Sequence, residues 1–66
     1  MNKNKLKGKI VEKGLNIERL AQLIKIERST LYRKLNVTGR ITIEEAQRIK
    51  KALELSDTEA IEIFFN

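Results

Sequence analysis

The sequence predicts an all-α protein, a compact bundle of five short helices. Proline is absent, apolar residues recur at three- and four-residue spacing, and no stretch alternates apolar and polar residues over the length of a strand. With 66 residues, the chain is expected to form a single domain, residues 1–66, with a small core.

Composition argues against several classes of function. The chain contains no Cys and no His, which removes thiol chemistry, the commonest general base and the commonest metal ligand. No apolar run approaches the roughly 20 residues that cross a bilayer. We therefore expect a cytoplasmic protein that is not an enzyme, with no cofactor, no metal, no membrane partner and no small-molecule ligand.

Charge is distributed unevenly along the chain. Residues 1–40 carry eleven bases and three acids, a net charge of +8, whereas residues 41–66 carry three bases and six acids, a net charge of −3. The first part is expected to attract a polyanion. The alternative is that the lysines keep a small protein soluble. The lysine run over residues 3–9 is expected to be a flexible, solvated arm.

The first two helices follow from spacing and from end signals. Leu6 and Ile10 lie one turn apart, and Gly14 suits the left-handed end of a first helix. Asn16 is the candidate N-cap of a short second helix, because its side chain can accept a backbone N–H. The apolar residues of the second helix are Leu20, Ala21, Leu23 and Ile24.

A third helix that begins near Arg28 has two contrasting sides. Leu31 and Leu35 anchor one side, and Lys34 lies at its edge, where it would extend its ammonium outward. The opposite side carries Arg28, Ser29, Tyr32, Arg33 and Asn36. This polar side is the strongest functional signal in the sequence.

Two capping boxes predict the last two helices. Thr42 with Glu45 begins one, and Ser56 with Glu59 begins the other. Val37–Ile41 is expected to be the loop before the fourth helix. The predicted buried stripe of that helix is formed by Ile43, Ala46, Ile49 and Leu53. Helix caps and exposed helix faces, rather than catalysis or metal binding, explain the acids Glu44, Glu45, Glu59 and Glu62.

The segment Asn16–Leu35, NIERLAQLIKIERSTLYRKL, resembles the helix-turn-helix of the Cro/C1 (XRE-type) family. Ala21 matches a small residue where the two helices cross, and Ile26 matches the apolar residue that closes the turn. Over about residues 5–65 the chain is similar to small phage and prophage regulators of Gram-positive bacteria. The resemblance implies a lambda-repressor-like DNA-binding domain.

Three residues depart from the pattern of that family. Lys25 stands where glycine is common, which requires a left-handed backbone at a non-glycine residue. Ile17 stands in place of a glutamine that holds a phosphate, and Glu27 stands in place of a serine or threonine cap. A carboxylate at Glu27 suits the positive end of a helix, but it disfavours nearby phosphates unless it meets an arginine or the amino group of a cytosine.

The resemblance implies that the third helix reads base edges in the major groove of double-stranded DNA. The base-reading positions of the family correspond to Arg28, Ser29, Tyr32 and Arg33. Contacts to the DNA backbone are expected from Asn16, Lys34, Asn36, Thr38, Arg40 and the N-terminal lysines. The alternatives are that the two arginines are solvated and that Tyr32 packs on a neighbouring helix.

The expected function is therefore sequence-specific transcriptional regulation of the phage Cro or repressor type, by occupation of an operator. The protein would be nucleoid-associated when it is bound to DNA. The alternative is a protein-interaction module, such as an anti-repressor or antitoxin, whose basic face binds an acidic protein. A membrane-surface protein is disfavoured because the polar faces mix acids with bases.

The end of the last helix predicts self-association. Ile61 and Phe64 are expected to close the core, and Phe65 lies about 100° around the helix from Phe64, so both rings are not expected to be buried. A homodimer through Phe65 would read two half-sites about 34 Å apart. The alternatives are a dimer that forms only on DNA and a last turn that folds back to bury both rings.

Overall fold

Helices account for most of the chain. In the computed structural model, which describes residues 1–65, the α-helices are α1 (Lys3–Glu12), α2 (Ile17–Ile24), α3 (Arg28–Arg33), α4 (Ile43–Ala52) and α5 (Asp57–Phe64). A π-helical segment over Lys34–Thr38 continues directly from α3. Residues 1–65 contain no β-strand, so the predicted all-α bundle of five short helices is confirmed.

The end of α1 and the start of α2 form at the residues that the sequence predicts. Gly14 adopts a φ of 72° after α1, and the Leu15 amide donates to the Ile10 carbonyl at 2.9 Å, which closes the end of that helix. The Asn16 side chain then accepts the Arg19 amide at 2.8 Å. This side-chain oxygen satisfies one of the unpaired N–H groups at the start of α2.

Both predicted capping boxes are present. The Thr42 hydroxyl accepts the Glu45 amide at 3.1 Å while the Glu45 carboxylate accepts the Thr42 amide at 2.9 Å. Ser56 and Glu59 exchange the same two hydrogen bonds, at 3.1 and 2.9 Å. These reciprocal bonds start α4 and α5 at the residues that the sequence indicates.

One apolar core joins all five helices of residues 1–65. Within it α2 packs against both α3 and α4, and α1 packs against α5. The buried cluster consists of Leu6, Ile10, Leu20, Ala21, Ile24, Leu31, Leu35, Ile49, Leu53, Leu55 and Ile63. Because α3 is short, its attachment depends on Leu31, and the π-helical segment that follows depends on Leu35; these side chains are 0% and 1% exposed.

The N-terminal lysine run is not a flexible arm, and that prediction is wrong. These residues lie in α1, where the Lys5 ammonium pairs with Glu62 and the Lys9 ammonium pairs with Glu59. The backbone amide of Asn2 also donates to a carbonyl of α5 at 2.7 Å. Opposite charges on α5 therefore fix the start of the chain.

Two residues predicted to be buried are exposed instead, and Ala46 of the predicted stripe is only half-buried. Ile61 is 58% exposed and Ile43 is 72% exposed. In α5 the inward side carries Ala60 and Ile63, so Ile61 turns outward with Phe65, one turn further on. Ile43 is the first residue of α4 and lies at the edge of a groove that Phe65 also lines, rather than beneath another helix.

The loop before α4 is shorter than predicted. Val37 and Thr38 belong to the π-helical segment, and the helical path ends at Gly39, which adopts a φ of 65°. The connection is therefore confined to residues 39–42. The predicted loop over Val37–Ile41 began too early, because the left-handed glycine, rather than the residues before it, ends the helix.

Removing the side chain of Leu31 should destabilise the protein strongly. We expect Leu31→Ala to lower the free energy of unfolding by about 2–5 kcal/mol, because a buried leucine leaves a cavity as well as losing apolar contact. Denaturant unfolding measures the effect. Val37→Ala is the matched control, because Val37 is 69% exposed. Equal stabilities for the two variants would contradict the assigned interior side.

The ion pair between α1 and α5 should make stability depend on acid. The hydrogen bond that Lys9 donates to Glu59, with a further one from the Ser56 amide, lowers the pKa of Glu59 from 4.5 to about 2. A carboxylate with a lowered pKa contributes its full stabilisation above the unfolded-state value and loses it as the pH falls through the folded value. Between pH 4.5 and about 2, wild-type stability should therefore fall more steeply than that of Glu59→Gln.

Chemical denaturation at a series of pH values tests this acid dependence. Glutamine keeps the capping oxygen of Glu59 but removes the negative charge, so the comparison isolates what that charge contributes through Lys9 and the Ser56 amide. Glu54→Gln is the control, since Glu54 is exposed and lies outside the ion pairs formed within residues 1–65. Parallel pH profiles for wild type and Glu59→Gln would refute the role of the pair.

Candidate nucleic-acid interface

A tight left-handed turn joins α2 to α3. Lys25 adopts φ 59° and ψ 44°, so this non-glycine residue takes the conformation that the turn requires. The Ile26 amide donates to the Ala21 carbonyl at 3.0 Å, and the Lys25 amide donates to the Gln22 carbonyl at 3.3 Å. The turn is therefore formed without glycine, and the half-buried Ile26 packs against the core beside it.

The buried side of α3 determines which residues face outward. Leu31 is fully buried against the other helices, whereas Arg28, Ser29, Tyr32 and Arg33 are all exposed. Tyr32 is 56% exposed, so its ring is not packed away beneath a neighbouring helix. The structure thus brings the four predicted base-reading residues together on one outward side, which we call the α3 surface.

Hydrogen bonds order parts of the α3 surface. At the start of α3 the Ser29 hydroxyl donates to a Glu27 carboxylate oxygen at 3.2 Å. At the other end the Asn36 side-chain amide donates to the Tyr32 carbonyl at 3.1 Å. Glu27, Arg28, Ser29 and Tyr32 line one open concavity, so a carboxylate, a guanidinium, a hydroxyl and a phenol are available to the same partner.

The residues predicted to contact a DNA backbone lie at different places around this surface. Asn16 lines a cleft with Arg28, Tyr32 and Asn36, although the side-chain oxygen of Asn16 already caps α2. At the end of the π-helical segment the exposed residues Thr38 and Arg40 are linked, because the Arg40 amide donates to the Thr38 hydroxyl at 3.2 Å. Arg40 remains exposed.

Lys34 does not extend its ammonium into solvent as predicted. Its Nζ lies 2.6 Å from a Glu45 oxygen, and both side chains are largely covered. Partial burial alone would raise the pKa of Glu45, but hydrogen bonds from Lys34 and the Thr42 amide together hold it below its usual value. Lys34 therefore ties the end of α3 to α4, and contact with a phosphate would require it to leave this carboxylate.

The structure adds supporting residues that the sequence did not identify. Arg48 in α4 donates from Nη1 to the Ile24 carbonyl at 3.2 Å and from Nη2 to Glu44 at 2.5 Å. It therefore satisfies a carbonyl at the end of α2, next to the turn that leads into α3. No local pattern predicts this contact, since it joins residues 24 positions apart. Glu18 also lines the cleft beside Arg28, together with Lys7, which is one of the N-terminal lysines predicted to contact DNA.

Other kinds of site find little support in residues 1–65. This part of the chain holds no group of three or more His, Cys, Asp or Glu residues placed to bind a metal ion. Within the same range, every helix is too short or too polar to cross a membrane. The α3 surface with its adjoining cleft is therefore the site that the geometry assembles.

Comparison with known proteins places this geometry in a family. A family model of the Cro/C1-type helix-turn-helix DNA-binding domain matches residues 5–65, which includes α2, the turn and α3. Neither the curated proteins nor the solved structures include a match to the chain. The association with phages of Gram-positive bacteria stays a prediction. The match over nearly the whole chain shows that this protein belongs to the Cro/C1-type helix-turn-helix DNA-binding family.

Proposed function

We propose that this protein is a sequence-specific transcriptional regulator of the phage Cro or repressor type, which binds an operator in double-stranded DNA through the α3 surface. The single observation that carries the proposal is the exposure of Arg28, Ser29, Tyr32 and Arg33 on a helix whose opposite side is buried. An α-helix fits the major groove, where each base pair displays a distinct set of donors and acceptors.

Each side chain of the α3 surface has a chemical role in this proposal. Arg28 and Arg33 each donate two hydrogen bonds, to O6 and N7 of a guanine, which is the commonest specific contact in the major groove. Ser29 contacts a base or a phosphate. The Tyr32 ring packs on a thymine methyl group or donates its hydroxyl to a phosphate.

Backbone contacts orient the helix in the groove. Asn16 and Asn36 line the cleft beside the α3 surface, and in the proposed complex they contact phosphates together with Thr38 and Arg40. Lys34 joins them only by exchanging Glu45 for a phosphate. Lys7 lies across the cleft from Arg28 and extends the positive surface onto α1. Neutralising phosphates in this way releases counterions and makes binding depend on salt.

We further propose that two copies associate through an apolar surface on α4 and α5. Ile43, Ile61 and Phe65 are 72%, 58% and 72% exposed, and they line one groove together with Phe64. Isolated apolar residues on a surface are ordinary, but a contiguous group of this kind is typical of an interaction site.

A second copy is the occupant that fits this surface. The exposed ring of Phe65 lines the groove, so a two-fold axis would bring the ring of each copy against the groove of the other. Lys50 and Asp57 also line this groove and form an ion pair. Because the pair is neutral overall, it does not repel the identical pair of a second copy. This surface shares no residue with the cleft around α3, so both reading helices stay exposed in the dimer.

Selection of bound duplexes from a random pool tests the proposed function, and Arg33→Ala tests the reading helix. We expect one enriched sequence, and affinity for it that falls log-linearly with salt. Arg33→Ala should weaken binding to that duplex by about 1–3 kcal/mol and leave the melting temperature nearly unchanged.

The control for Arg33→Ala is Lys51→Ala, which removes the same charge from an exposed position on α4. Its effect on the selected duplex should be much smaller. A sharp fall in the melting temperature of Arg33→Ala would show that this arginine is structural. Binding of an acidic protein without preference among duplexes would favour the protein-interaction module instead.

Self-association is tested by sedimentation of the protein with and without the selected duplex. We expect Phe65→Ala to weaken dimer formation and cooperative binding to a two-fold symmetric duplex, because it removes the ring that fills the groove. Val11→Ala is the control, since Val11 is 73% exposed on another helix. Dimerisation that is unaffected by Phe65→Ala would exclude this surface.

A further inference from the structure

Beside the α3 surface lies one residue whose charge opposes the proposed partner. Glu27 precedes α3 directly and is exposed. Its side chain makes no capping hydrogen bond, and the ion pairs formed within residues 1–65 do not include it. An unneutralised carboxylate on a surface that meets phosphates weakens binding unless it gains a specific contact.

We infer that Glu27 is a specificity-determining residue that accepts a hydrogen bond from the N4 amino group of a cytosine in the major groove. The amino group of cytosine is a donor that glutamate recognises, whereas guanine presents acceptors at the corresponding edge. The inference rests on the proposed function, and it adds a selective acceptor to a set of residues that otherwise supplies mainly donors.

Position supports this role. In helix-turn-helix proteins the N-terminal residues of the recognition helix contact base edges, and Glu27 lies next to the first residue of α3. Glu27 lines the same concavity as Arg28, Ser29 and Tyr32. A base edge that reaches Arg28 therefore comes within the neighbourhood of this carboxylate.

Ser29 prepares the carboxylate for the contact. Its hydroxyl donates to one Glu27 oxygen at 3.2 Å, while an ionised carboxylate has about four acceptor sites. The bond therefore orients the group and leaves acceptor capacity for a base. Both side chains are exposed, so this acceptor capacity is accessible to a base.

The test repeats the duplex selection with Glu27→Gln and Glu27→Ala. We expect the wild-type consensus to contain a cytosine, in each half-site, at which discrimination falls by about 5- to 150-fold in both variants. Affinity for random duplex should rise rather than fall, because a negative charge is removed from the DNA-facing surface. Thermal unfolding of each variant establishes that it is folded.

Glu54→Gln is the matched control, because Glu54 is also exposed and lines neither the cleft nor the concavity around α3. It should leave the consensus unchanged. An unchanged consensus in Glu27→Gln and Glu27→Ala would overturn the cytosine contact while the proposed function stands. Enrichment of no sequence by the wild-type protein would overturn both.

Discussion

The attachment of α3 through its leucine side is the constraint on which the rest of the structure depends. A helix of six residues cannot be stable by itself, so Leu31, and Leu35 in the π-helical segment, must reach the core. Burying them turns the opposite side outward. Orientation of the proposed reading surface is therefore a consequence of hydrophobic burial rather than of any contact that the polar residues make.

The neighbouring helices hold this short element from both ends. At its start, Lys25 accepts a left-handed conformation, and the guanidinium of Arg48 binds a carbonyl at the end of α2. At its far end, the pair of Lys34 with Glu45 joins it to α4. These contacts come from α4 in both cases, so α4 supports the reading surface although it is not part of it.

Ion pairs between α1 and α5 reduce the positive charge that the first part of the chain can offer to a partner. The basic first part of the chain includes lysines of α1 that are neutralised by acids of α5, as in the pairs of Lys5 with Glu62 and Lys9 with Glu59. The positive charge proposed to meet DNA therefore lies mainly with the arginines of α3, with Arg40 and with Lys7. Within that surface Glu27 is the exception, which is why we propose that it selects a base.

The local signals in the sequence determined the helix starts, since capping depends on residues three apart: Asn16, Thr42 and Ser56 each begin a helix where the pattern predicted. They also determined the outward set on α3, because two leucines one turn apart define its inward side. The exposure of Ile61 and the pairing of Lys34 with Glu45 were decided by tertiary structure alone. Both depend on which helix lies opposite, and neither the packing of α5 on α1 nor the approach of Glu45 is encoded in spacing along one helix.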